Sequence, residues 1–314
     1  MKRLSMVILT VALACNVAYA QCGMKNVIIM VADGWGYNQV LAAECFNGAR
    51  QVYEEFPIRL AMSTYSYDGW GYDSAQAWAD FLYVMLGWTD SASSATAMST
   101  GVKIHDGQIN VDPVTEAALF TTLQQAEELG KVTGVVTSVP LSHATPAGWT
   151  AHDTYRGNYS AIAVEMIDSS NCEVVMGCGH PLYNNDCTLD GNVTESDYDY
   201  VGGSAKWAQL VAGMAGQASG HPYPWTLIDN KLDFVDLATD PNPPPRVIGV
   251  PRARTTLQQA RPTVIGEGGN GTALPYSAAR NNCVPTLAEM SRAALNVLRH
   301  ADDMNNGIFL MIEG

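Results

Sequence analysis

Basic residues are scarce in this chain: Lys and Arg number 17 against 31 Asp and Glu, and the formal charge is −14. With no basic stripe to displace counterions, nucleic acid is excluded as the partner class. The same negative field repels anionic substrates, so a site that handles them needs cations to reverse the sign locally. The G-x-S-x-G turn that activates a serine in many α/β hydrolases is missing. Charged residues make up only 15% of the sequence, yet 47% is hydrophobic, which places the chain among folded proteins rather than disordered ones. Its 314 residues suffice for one large α/β domain or two smaller ones.

The apolar run near the start, Met6–Ala14, is too short to span a bilayer. Flanked by Lys2 and Arg3 and followed by Ala18-Tyr19-Ala20 before Gln21, it reads as a secretory leader over residues 1–20. Cys15 makes only a weak lipoprotein site, so the expectation is soluble export to the periplasm or the exterior, with no membrane span once the leader is cleaved. Beyond the leader stand Cys22, Cys45, Cys172, Cys178, Cys187 and Cys283. An even set in an exported chain points to disulfides, whose pairing the spacing leaves open. Cys172, Cys178 and Cys187 with His180 fit no common zinc-finger spacing. Asn158, Asn192 and Asn270 lie in N-x-S/T sequons, which matter only in a glycosylating host.

Hydrophobic patterning supplies the elements. The apolar runs 26–32, 132–137 and 307–312, and the shorter 173–176, have the look of strands buried on both faces. Helical spacing predicts helices over 115–129, 159–167 and 286–300, with Thr115 and Thr286 as caps. Between 181 and 285, Asn, Asp, Gly and Pro become frequent, and Pro241-Asn242-Pro243-Pro244-Pro245 breaks any regular element. This stretch is expected to be a loop-rich insertion with one short helix over 204–215. Within it Gly266–Gly271 matches G-x-G-x-x-G but is followed by Pro275 rather than a helix, and the Asp- and Asn-rich run 186–195 reads as a solvated turn. Strands alternating with helices give an α/β fold with a mostly parallel central sheet flanked by helices.

Thr89-Asp90-Ser91-Ala92-Ser93-Ser94-Ala95-Thr96-Ala97-Met98-Ser99-Thr100-Gly101 is almost devoid of large side chains. It predicts a helix capped at Asp90/Ser91 and ended by Gly101, packed closely under another element. A helix start offers free N–H groups and partial positive charge to an anion, and Ser91 stands there. In parallel sheets ligands bind beyond the carboxyl ends of the strands. Three predicted strands run into Asp33, into the segment His143–Thr145, and into Glu313. Carboxylate, imidazole and hydroxyl donors on one rim suit zinc, magnesium or manganese. With no hydrolase elbow, a metal is the natural activator of Ser91. Arg156, shortly after the His143 segment, is the candidate clamp for a phosphoryl group, because a guanidinium grips two oxygens at once.

Taken together these motifs resemble the alkaline phosphatase family. Thr89 through Lys103 is similar to that family's nucleophile signature, and Val31-Ala32-Asp33-Gly34-Trp35-Gly36 to its first metal-binding turn. His143-Ala144-Thr145-Pro146-Ala147 with Arg156 resembles its magnesium and phosphate segment, and Met311-Ile312-Glu313-Gly314 the start of its next metal motif. The resemblance implies hydrolysis of phosphate monoesters through a phosphoserine on Ser91. Asp33 would bridge a zinc and a magnesium, Ser91 would touch that zinc, and His143, Thr145 and Glu313 would complete the magnesium side, with Arg156 holding the phosphate. It allows a homodimer in the full-length form.

Family members continue past the Glu-Gly step with further Asp and His zinc ligands. The expectation is therefore that residues 21–314 are the N-terminal portion of an alkaline phosphatase domain, a fragment of low or no turnover. Two other readings remain: a secreted phosphate- or metal-binding protein without turnover, and a phosphodiesterase or sulfatase of the same superfamily. The latter lacks its usual nucleophile setting here.

Overall fold

The computed structural model describes residues 25–80, 82–217, 220–258 and 279–314. The leader, Cys22, Asn270 and the glycine run 266–271 lie outside the described residues. Six strands form one sheet: β1 Val27–Val31, β2 Val132–Pro140, β3 Val174–Cys178, β4 Thr226–Ile228, β5 Val247–Gly249 and β6 Ile308–Glu313. Nine α-helices accompany them among the described residues, besides three short 3-10 turns: α1 Tyr37–Asn47, α2 Ser74–Ala79, α3 Ser91–Thr100, α4 Thr122–Glu128, α5 Ala144–Thr150, α6 Tyr159–Asp168, α7 Ser204–Val211, α8 Lys231–Leu237 and α9 Leu287–Ala301.

The sheet is parallel throughout, in the order β1-β6-β2-β3-β5-β4. The last strand in sequence thus lies between the first two. Its register sets Glu313 beside Val31, the last residue of β1, and beside Thr137 of β2, which runs three residues further. Burial on both faces explains the continuous apolar runs of β2, β3 and β6. One core holds Ala92, Leu123, Trp149, Ile162, Met166 and Trp207, from α3 to α7. The other holds Phe234, Leu237, Met290, Ala294, Val297 and Leu298, from α8 and α9.

Alanine and serine in α3 have a packing reason. Ala92, Ser93, Ala95, Thr96 and Ser99 are buried, and α5 crosses so closely that a Cβ added at Gly148 would sit 2.6 Å from the Ala95 Cβ. Neither helix has room for a larger residue at that crossing. Asp90 caps α3 and Gly101 closes it, as the sequence predicts.

Three expectations change. The run 26–32 is not buried on both faces: β1 is an edge strand whose Ile28 and Met30 are exposed. The helix over 115–129 shortens to α4, whose cap is Thr121, with its hydroxyl accepting from Gln124 N at 3.1 Å. Asp112 captures the earlier residues instead: its Oδ1 accepts from Thr115 N at 2.8 Å and Val114 N at 3.0 Å, fixing a turn. The stretch 181–285 is more than loop. It supplies β4 and β5, which extend the sheet beyond β3, together with α7 and α8. Strands of three residues are too short to show a period. Cys187 and Cys283 form a disulfide, while Cys45, Cys172 and Cys178 are free thiols. No helix among the described residues is long and apolar enough to cross a membrane.

Candidate active site

Ser91 opens α3 and points at the end of β1: its Oγ donates to Asp33 Oδ2 at 2.7 Å. The backbone of Asp33 is set by the neighbouring strand, since Asp33 N donates to Gly314 O at 3.2 Å and Gly314 N to Val31 O at 3.0 Å. The sheet register therefore fixes the partner of the helix's first hydroxyl.

Asp90 does two jobs. Its Oδ1 accepts from Ser93 N at 2.8 Å as the helix cap, and its Oδ2 takes the Arg156 Nη1 at 2.8 Å and Gly107 N at 3.1 Å. Gly107 O in turn accepts from Arg156 N at 2.7 Å, so this one residue braces both ends of the ion pair. Burial pushes the Asp90 carboxyl up, but hydrogen bonds from Ser93 and Arg156, with the guanidinium charge, outweigh it and hold it below the usual range. Asp106 closes the ring, with Oδ1 accepting from Ser93 Oγ at 2.7 Å and from Asp90 N at 3.2 Å.

The β2–β6 seam supplies the other half. Glu313 is buried, and its Oε2 accepts from Thr137 Oγ1 at 2.5 Å. Burial raises its carboxyl, the hydroxyls of Thr137 and Thr145 pull it back, and the charge of Asp33 raises it again. Asp33, Thr145 and Glu313 thus face one another.

His143 stands at the N-terminal cap position of α5, its ring parallel to Tyr159 with centroids 6.0 Å apart. Burial pulls its imidazole down to about 4; Arg156 adds to this and Asp33 opposes it. It is neutral at pH 7, and its Nδ1 is buried without a hydrogen-bond partner. His152 is accounted for structurally, between Glu165 Oε1 at 2.8 Å and Leu119 O at 3.0 Å.

All six residues singled out from the sequence, Asp33, Ser91, His143, Thr145, Arg156 and Glu313, gather at this rim, in two halves joined by Asp33. Sequence reasoning missed Thr137, Asp106 and Gly107. Thr137 had a usable signal, a hydroxyl closing a buried apolar strand. Asp106 and Gly107 act through a loop whose path no local pattern gives. Among the described residues no group of three or more His, Cys, Asp or Glu is placed to hold a metal ion.

The family model for alkaline phosphatase matches residues 24–204, more than half of the chain. The chain belongs to the alkaline phosphatase family. Alkaline phosphatase H of Pseudomonas aeruginosa is 30% identical over 300 residues, which cover 92% of this chain and 59% of that protein. Among solved structures, the cold-active alkaline phosphatase of a Shewanella species is 26% identical, with a TM-score of 0.55, and the match covers 92% of this chain and 56% of that one. A mutant of the TAB5 alkaline phosphatase, described with magnesium bound, shares the fold at a TM-score of 0.55 and 22% identity, covering 92% of this chain and 64% of that one. The chain therefore spans little more than half the length of the alkaline phosphatases it resembles.

Proposed function

We propose that this chain carries the nucleophile and the phosphate clamp of a metal-dependent phosphomonoesterase. The observation that carries the reading is the 2.7 Å hydrogen bond from Ser91 Oγ to Asp33 Oδ2 at the start of α3, beside the Asp90–Arg156 pair.

The residues present fit a divalent cation. Burial and the neighbouring Asp33 raise the carboxyl of Glu313, a cost that a dication would relieve, and the Nδ1 of His143 is buried without a partner. Asp33, Thr145 and Glu313 would hold magnesium through hard oxygens. Asp33 and Ser91, with the neutral His143 nearby, would face zinc. Such ions stabilise charge on the phosphoryl oxygens and lower the pKa of a bound hydroxyl.

The chain's own groups do the rest. Ser91 Oγ forms the bond to phosphorus as the bond from phosphorus to the ester oxygen breaks, and the serine proton, which starts on the hydrogen bond to Asp33 Oδ2, ends on the departing alcohol. Asp90 holds Nη1 of Arg156 and turns the remaining N–H donors toward the phosphate oxygens. The helix start adds partial positive charge behind them. Water then hydrolyses the phosphoserine. Export through a leader over 1–20 belongs to the same reading, as does the assignment of residues 21–314 to the N-terminal portion of the domain.

The test is to incubate the protein with magnesium, zinc and an aryl phosphate, quench in acid, and map phosphate by mass spectrometry. Phosphate on Ser91, absent from Ser91→Ala, is the expected result. Phosphate bound tightly in the site with no adduct would establish a binding protein without turnover and overturn the phosphomonoesterase reading. An adduct on another residue would overturn the nucleophile assignment.

A further inference from the structure

The chain leaves α3 at Gly101 and comes back to the helix start at Asp106. The return path is anchored on both sides. Ile104 O accepts from Tyr67 N at 2.9 Å. Ile109 and Asp153 exchange backbone hydrogen bonds, Ile109 N to Asp153 O at 2.8 Å and Asp153 N to Ile109 O at 2.9 Å. Between these points His105 is tied to Asp68 through Nδ1 and to Pro113 O through Nε2. The backbone that carries Asp106 is thus set by distant parts of the fold.

Asp106 is exposed, yet its Oδ1 takes two donors from the first turn of α3, Ser93 Oγ at 2.7 Å and Asp90 N at 3.2 Å. Ser93 is buried, and its hydroxyl has one proton for three acceptors. The other two are Asp90 Oδ1 at 2.9 Å and Asp90 O at 3.3 Å, both longer contacts than the one to Asp106. With the proton given to Asp106, Asp90 Oδ1 keeps the Ser93 N–H as its donor, at 2.8 Å. The bond from Asp90 N fixes the peptide from which the Asp90 side chain swings. Gly107, the next residue, completes the hold by donating to Asp90 Oδ2 at 3.1 Å and accepting from Arg156 N at 2.7 Å.

We infer that Asp106 is a positioning residue, which acts through Ser93 and Asp90 to fix the direction in which Arg156 presents its remaining N–H donors. The inference rests on the phosphomonoesterase reading for the phosphate that Arg156 meets, and on geometry alone for the aim of the guanidinium. Its sign is opposite to that of simple repulsion. Removing a carboxylate near an anion site should tighten anion binding. Removing this one should weaken it, because the aim of Arg156 is lost.

Two measurements on the full chain test this. One is equilibrium dialysis with inorganic phosphate in magnesium and zinc. The other is the Arg156 Nε–H resonance in a proton–nitrogen correlation spectrum, assigned by its loss in Arg156→Lys. Asp106→Ala is expected to bind phosphate about 5-fold more weakly and to broaden the Arg156 line. Ser93→Ala, which removes the link and keeps both carboxylates, should do the same. Asp106→Asn, whose amide oxygen still accepts from Ser93 and Asp90 N, should bind at least as tightly as the parent with a sharp line. With Arg156→Ala in place, adding Asp106→Ala should cost nothing further. If Arg156→Ala leaves phosphate affinity unmoved while Asp106→Ala still broadens the line, the phosphate site is overturned and the positioning role upheld. If Arg156→Ala weakens binding but Asp106→Ala and Ser93→Ala change neither affinity nor line, the positioning role is overturned and the phosphate site upheld. An equal loss from Asp106→Ala with and without Arg156 also overturns the role.

Discussion

Asp90 and Arg156 share a half-buried ion pair, Nη1 to Oδ2 at 2.8 Å, in which the carboxylate that caps α3 also holds the guanidinium beside Ser91. Asparagine keeps the cap but loses the charge; alanine loses both. Asp90→Ala is expected to cost about 1–2 kcal/mol by urea denaturation, and Asp90→Asn distinctly less. The pH dependence follows from the lowered carboxyl. Its folded value lies below the unfolded 3.8, so the stabilisation is present above that value and is lost as the pH falls through the folded one. In acid titrations the wild type should lose stability below about pH 4 more steeply than Asp90→Asn. Parallel curves would show that the pair contributes nothing to folding.

The crossing of α3 and α5 sets a second prediction. Gly148→Ala puts a methyl 2.6 Å from the Ala95 Cβ, between two buried helices that cannot part without opening the core. A destabilisation of about 1–3 kcal/mol is expected. Removing the opposing methyl with Ala95→Gly in the same chain should return part of that loss, less the cost of glycine within a helix. A Gly148→Ala variant as stable as the parent would show that the helices slide apart freely.

That crossing also shows what the sequence made legible. The poverty of α3 in large side chains announced a close neighbour, and the small residues flanking Gly148 announced nothing until α5 was seen against it. Asp33, Ser91 and Glu313 could be placed on one rim because each closes a strand or opens a helix, where local signals are strongest. β4 and β5 escaped notice because three-residue strands carry no period and their pairing is with distant residues. The brace at Gly107 escaped because its work is done by backbone atoms, which leave no mark in residue type.

Cys187 and Cys283 join the turn after β3 to the approach of α9, across 96 residues of sequence. Closing so long a loop removes much chain entropy from the unfolded state. Cys187→Ser is expected to lower unfolding free energy by about 3 kcal/mol, and dithiothreitol to lower the wild type equally. The variant should be insensitive to the reductant. If reductant leaves the wild-type urea midpoint in place, the neighbouring hydrogen bonds of Asn281 to Asn185 O and Gln258 already close the loop.

Glu127 gives the clearest pH prediction away from the candidate site. It lies at the end of α4, where burial raises its carboxyl to about 7; the Thr133 hydroxyl opposes this at 3.0 Å and Glu173 adds to it. The folded value exceeds the unfolded 4.5, so between these limits the native state holds a proton that the unfolded chain has released. Stability must then fall as the pH rises through that window, the reverse of the behaviour at Asp90. The contribution is about 2 kcal/mol, reduced from the full linkage value because the side chain keeps some contact with solvent. Glu127→Gln holds a neutral group at every pH and should flatten the slope of unfolding free energy between about pH 5 and 7. The measurement is a series of urea denaturations across that range. Identical slopes in parent and variant would mean that Glu127 stays ionised in the fold, drawing enough water or positive charge from Arg246 to offset its burial.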